Sequence, residues 1–180
     1  MADTPEPDRV EGAPHPRDTP RLFGQNAAED SFLRAFGGGR LHHGWLITGP
    51  RGVGKATLAW RIARFLLTQD PGGGLFGPPE TLDVSSDHPV AHRIQAGAEP
   101  GLLVIRRGAD DKTGKLRSQI TVDEVRKLRD FFGLSSAEGG RRVVLVDAAD
   151  EMNANAANAL LKLLEEPPAG ASLLLVEHQP

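Results

Sequence analysis

Four short apolar runs stand out along the chain, each bounded by glycine, proline or polar residues. They are Trp45-Leu46-Ile47-Thr48, Leu102-Leu103-Val104-Ile105, Val143-Val144-Leu145-Val146 and Ser172 to Val176. All have strand length, and the third is continuously apolar, as a parallel strand covered on both faces should be. The stretches between them follow a helical period instead. Lys55 to Leu67 puts Leu58, Ile62, Phe65 and Leu66 on one side, and Val122, Val125, Leu128 and Phe132 repeat the spacing. Thr121-Val122-Asp123-Glu124 has the Ser/Thr-x-x-Glu form of a helix start. Ala156, Ala157, Leu160, Leu161 and Leu164 give the inward face of a helix from Asn153 to Glu165, stopped by Pro167-Pro168. Gln25 to Phe36 reads as a further helix, with Phe32 and Phe36 four apart, and Gly37-Gly38-Gly39 ends it. Strands alternating with helices predict a three-layer α/β domain with a mainly parallel sheet.

Two regions lack either period. Residues 1–21 hold Pro5, Pro7, Pro14, Pro16 and Pro20 among charges, with Val10 the one large apolar residue between Met1 and Leu22. So little apolar surface predicts a disordered leader, with the folded domain covering residues 22–180. Residues 68–101, dense in glycine and proline, read as an irregular insertion with one helical turn at most.

Composition narrows the function. The 180 residues carry a net charge of −3, so any nucleic-acid contact must come from a local patch or a neighbouring subunit. Residues 106–129 hold eight basic and four acidic side chains, which reads as a solvated charged face. With no cysteine, disulfides, thiolate zinc sites and cysteine nucleophiles are excluded. No apolar run approaches the ~18 residues of a membrane span, and the acidic, proline-rich start is unlike a targeting peptide. The expectation is a soluble, cytoplasmic protein.

The chemistry concentrates after the first strand. Gly49-Pro50-Arg51-Gly52-Val53-Gly54-Lys55-Ala56 matches Gly-x4-Gly-Lys between a strand and a helix, the setting of a phosphate-binding P-loop. Glycines let successive backbone N–H groups converge on phosphate oxygens, and the lysine reaches the terminal phosphates. The next position should carry a hydroxyl for Mg²⁺; it is Ala56. Thr57 cannot simply substitute, because one residue along a helix turns a side chain by about 100°. A second requirement is an acidic residue at the end of another strand, which Asp147 supplies, with a carboxylate beside it to activate water. That neighbour is Ala148. The loop is predicted to bind ATP or ADP with weak dependence on Mg²⁺ and without useful turnover. The acidic strand is expected beside the P-loop strand.

These residues carry a resemblance. Gly49 to Ala56, Ile120 to Arg126, Val143 to Asn153 and the run from Ala156 to Pro168 closely resemble, in this order, the delta-prime subunits of bacterial DNA polymerase III clamp loaders, which are AAA+ proteins. The resemblance spans residues 22–180. It implies a structural, non-hydrolysing member of the loader, working with gamma/tau and delta subunits to place the sliding clamp on primed DNA at the nucleoid-associated replisome. Gamma/tau relatives are active ATPases with Ser or Thr after the lysine and Glu in the acidic strand, so an active motor and a nucleotide-binding switch are the alternatives. Leu22, Phe23, Gly24 and Gln25 match the region beside the adenine in AAA+ relatives. The four-cysteine zinc module of many relatives has no counterpart in residues 68–101, and His88 and His92 read as ordinary surface residues, so no metal is expected. The chain stops before the family's Ser-Arg-Cys motif, lid and collar, as an N-terminal subdomain of a longer protein would.

Overall fold

A computed structural model describes residues 6–19, 21–69, 78–110, 112–133 and 140–178. The predicted elements form, with ends moved by a residue or two: α1 (Asn26–Gly37), β1 (Gly44–Thr48), α2 (Lys55–Thr68), β2 (Leu102–Ile105), α4 (Val122–Gly133), β3 (Arg142–Asp147), α5 (Ala154–Glu165) and β4 (Ala171–Glu177). Helix α5 begins where Asn153 accepts a hydrogen bond from Ala156 N at 2.8 Å through its side chain, satisfying one of the free donors of the first turn.

All four strands are parallel, in the order β1-β4-β3-β2. Alternation along the two central strands builds a core on each face. Val143, Leu145, Leu174 and Val176 meet Phe32 of α1 and Leu58, Ile62, Phe65 and Leu66 of α2. Val144, Val146, Leu173 and Leu175 turn the other way, onto Val125 and Leu128 of α4 and Ala156 and Leu160 of α5. The result is the three-layer α/β domain that the periods predict.

One placement is corrected. The acidic strand β3 does not lie beside the P-loop strand β1, because β4 runs between them. The reason is burial. Strands β3 and β4 are buried almost throughout and suit positions flanked on all sides, whereas β1 is only half-buried, with Leu46 60% exposed, and suits an edge. The register still brings the two together at one end of the sheet. Thr48 pairs with Glu177, and Val176 pairs with Asp147, so the ends of β1 and β3 are separated by two strand spacings, about 10 Å.

The insertion holds a helix longer than the single turn expected, α3 (Pro89–Gln95). Pro89 sits in its first turn, His88 Nδ1 accepts from Val90 N at 3.2 Å, and Val90, Ala91 and Ile94 are buried. Residues 70–77 of that insertion lie outside the described residues.

The leader also departs from expectation. Residues 6–19 are packed on the domain, through a short 3-10 turn (Pro16–Asp18) against α2. Its only large apolar side chain, Val10, stays exposed, so apolar burial is not what holds it. Charge pairing and one aromatic contact do. Asp8 Oδ1 accepts from Arg106 Nη1 at 2.6 Å, and Glu6 accepts from Arg17 Nη1 at 2.8 Å and from Arg106 Nη2 at 3.3 Å. His15 is buried edge-on against Trp60 of α2, with ring centres 5.8 Å apart, and Arg64 donates to the Arg17 carbonyl.

Candidate functional site

The turn from β1 into α2 is built by glycine. Gly52 and Gly54 have φ of 83° and 93°, and a Cβ on Gly54 would come within 2.5 Å of Leu22 Cδ1. Only glycine satisfies both the backbone and the space there. Lys55 begins the helix and is buried, with its ammonium folded back to donate to the carbonyls of Gly49 at 2.7 Å and Pro50 at 2.5 Å. Burial lowers its pKa, while the charges of Asp150 and Asp147 hold it up against that penalty. Two carbonyls of its own loop therefore hold the lysine side chain.

A cavity of about 400 Å³ opens from this loop. Arg51, Gly52, Gly54, Lys55, Ala56 and Thr57 line it from the loop side, and Asp147 and Ala148 line it from the end of β3. The P-loop and the acidic strand thus face one space, despite the strand between them. Ala56 and Ala148, the two positions where a hydroxyl and a carboxylate are missing, both line it. Thr57 lines the cavity as well, so a hydroxyl-bearing residue does stand on its wall, one position beyond Ala56.

Asp147 is 7% exposed and its pKa is raised from 3.8 to about 6. Burial is the main cause, with the negative charges of Asp8 and Glu151 adding to it. A cation drawn to the end of β3 would relieve this directly.

The proposed adenine-side residues stand apart. Leu22 covers Gly54, and Gln25 Nε2 donates to Val53 O at 2.9 Å, but Phe23 is 82% exposed and neither it nor Gly24 lines the cavity.

Several features of the site escaped the sequence reading. Asp150 is the exposed helix-start carboxylate that the sequence suggests, on the 3-10 turn Ala149–Glu151; what the sequence did not show is that it accepts from His178 N at 3.2 Å and is the largest counter-charge acting on Lys55. Glu151 holds Arg107 at 2.8 Å and lies 3.9 Å from Arg51, and all three line the cavity. His178, just past β4, lines it too, its pKa lowered by burial and by Lys55. Four of the eight basic side chains of residues 106–129 are engaged in ion pairs, Arg106 with Asp8, Arg107 with Glu151, Arg126 with Asp123 and Lys127 with Glu124. A carboxylate within two or three residues of a cation, as in the last two pairs, was the only available sequence signal.

Comparison with known proteins decides the family. The family described as "DNA polymerase III, delta subunit" matches residues 24–180. The chain belongs to it. A DNA polymerase III subunit delta' of Pseudomonas aeruginosa is 40% identical over 146 residues, 79% of this chain and 40% of that protein. The subunit delta' of Escherichia coli is 33% identical, over 84% of this chain and 41% of its own length. A subunit gamma of Buchnera aphidicola is 30% identical, over 86% and 38%. The chain therefore spans about two fifths of the length of the curated relatives it matches. A solved gamma subunit-related protein of Thermotoga maritima overlaps in part, at 28% identity over 49% of this chain and 29% of its own, with a TM-score of 0.35.

Proposed function

We propose that this chain is the nucleotide-holding portion of a delta-prime-type clamp-loader subunit of DNA polymerase III, which binds ATP or ADP on its P-loop without turning it over. Residues 49–57 and Asp147 form the binding site, and Leu22 to Gln25 lie on the adenine side. The subunit serves as a structural member of the loader, next to gamma/tau and delta subunits, and reaches the sliding clamp and primed DNA through the assembly. Its place is the replisome on the cytoplasmic nucleoid. One observation carries the reading: Lys55 and Asp147 face one cavity, while Ala56 and Ala148 line that same cavity where magnesium and water would need oxygen ligands. Losing a general base alone costs ~10²–10⁴ in rate, and here a metal ligand is lost with it.

The test is phosphate release from ATP and Mg²⁺, measured for the wild-type chain beside Lys55→Ala. Both are expected at background. Turnover in the wild type that disappears with Lys55→Ala would overturn the non-hydrolysing reading in favour of a motor.

A further inference from the structure

The N-terminal segment is part of the nucleotide cleft. Pro7, Asp8, Val10, Ala13 and Pro16 line the same cavity as Lys55 and Asp147, on the side facing the end of β3. Of these five residues Asp8 alone is ionisable, and its side chain is 2% exposed. It stands close enough to Asp147 for its charge to be felt there.

One oxygen of Asp8 is hydrogen-bonded and the other faces an imidazole at ion-pair distance. Oδ1 accepts from Arg106 Nη1 at 2.6 Å, and Oδ2 lies 3.0 Å from His15 Nε2. A carboxylate so engaged is an anchor rather than a free metal ligand. The anchoring is repeated on either side: Glu6 bridges Arg17 and Arg106, and His15 is wedged against Trp60. A peptide with almost no apolar surface is thereby latched across the mouth of a phosphate loop.

The position of the latch has a chemical consequence. In a P-loop the lysine reaches the β- and γ-phosphates, and the outer phosphate points on towards the acidic strand. In this chain that direction holds three carboxylates, Asp8, Asp147 and Glu151, and no hydroxyl on residue 56 to fix a magnesium ion between them and a phosphate. Two of the three are matched, Asp8 by Arg106 and Glu151 by Arg107, while Asp147 has no ion pair among the described residues, so the last charge of a triphosphate is opposed by Asp147 and by the segment latched in front of it. A diphosphate ending at Lys55 meets none of these charges closely; a triphosphate adds its last negative charge against them.

We infer that residues 6–19 are a strap that closes the γ-phosphate side of the cleft, so that the latched chain takes a nucleoside diphosphate and admits a triphosphate only when the Asp8–Arg106 latch opens. This inference rests on the nucleotide reading of the P-loop. The strap makes occupancy by triphosphate and release of the N-terminal segment a single event, and the released segment becomes exposed for a partner subunit.

The experiment is a titration of the chain with ADP and with ATP, without Mg²⁺, for wild type, Asp8→Ala and Arg106→Ala, with thermal melts confirming that each variant is folded. The two variants open the latch from opposite sides, so either one suffices if the other fails to fold. Wild type is expected to prefer ADP by about tenfold, the size of one partly screened like-charge contact. Both variants should bring the two affinities to within about threefold of each other, through tighter ATP binding. Trypsin should cut after Arg9 faster with ATP bound than with ADP. Binding of nucleotide by the variants but not by wild type would also support the strap. An ATP-to-ADP ratio that is the same in all three chains, or equal affinities in wild type, would overturn the strap while leaving the nucleotide site standing. No binding by any of the three would overturn the strap and the nucleotide reading together.

Discussion

Asp147→Asn is expected to melt higher than wild type at pH 8 and together with it at pH 4. The carboxyl titrates near 3.8 in the unfolded chain and at about 6 when folded, chiefly because it is buried. Below about pH 3.8 it is protonated in both states and contributes nothing. As pH rises through the window, the unfolded chain ionises first, so the folded state loses stability; above about pH 6 the full cost is present. A shift of that size is worth about 3 kcal/mol, and roughly 5–10 °C in melting temperature for a chain of this length. The neighbouring Asp8 and Glu6 behave oppositely. Burial pushes each up, but His15 and Arg106 for Asp8, and Arg17 and Arg106 for Glu6, more than offset it and leave both pKa values low. Their stabilisation is present at neutral pH and fades on acidification, so the pH profile of wild type alone mixes two signs. The difference between wild type and Asp147→Asn isolates the strand-end carboxylate. A variant that gains as much at pH 4 as at pH 8 would show that the gain is not electrostatic. A variant that loses stability at pH 8 would show that the charge is already matched by a cation.

Phe65→Ala is expected to destabilise the chain by about 3–5 kcal/mol, the usual cost of deleting a buried aromatic ring. Phe65 is 1% exposed on α2 and makes edge-to-face contacts with Phe36 at 5.0 Å and Phe32 at 6.2 Å. That cluster seats α2 against α1 and the sheet, and α2 carries Lys55 at its first position. Phe23→Ala is the matched control. Its ring is 82% exposed, so its removal should stay within about 0.5 kcal/mol. Denaturant midpoints for the two variants test this pair. Similar losses in both would mean that Phe23 is covered in solution, and a small loss for Phe65→Ala would mean that the aromatic cluster is not the seat of the helix.

How far the sequence disclosed this molecule depended on the range of the interaction. Strand β3 was legible because four consecutive apolar residues have few other uses, and α5 because Asn153 and Pro167 bracket a clear helical period. The P-loop was legible because glycine and lysine at that spacing serve one chemistry. Which strand lies between β1 and β3 was not legible, since the run at 173–176 suits a central position as well as the run at 143–146 does. Helix α3 was obscured by its setting. Pro89 looks like loop punctuation until His88 is seen capping the turn behind it. The packing of residues 6–19 was not legible for a deeper reason. Its order comes from Arg106, 98 residues beyond Asp8, and from Trp60, and no local pattern signals such pairing. Asp150 was legible as a helix-start carboxylate, but its electrostatic link to Lys55 was not.

The alanines at 56 and 148 bear on function because they face the cavity that Lys55 and Asp147 share. A phosphate loop that keeps its backbone cradle and lysine, but lacks oxygen ligands at both catalytic positions, retains the means to hold an anion while losing the means to activate water. The most direct measurement of that claim is a titration of the chain with ADP, with and without Mg²⁺, beside Lys55→Ala. The account predicts binding that is lost with the lysine and gains little from the metal. Binding that is unaffected by Lys55→Ala, or that appears only with Mg²⁺, would contradict it.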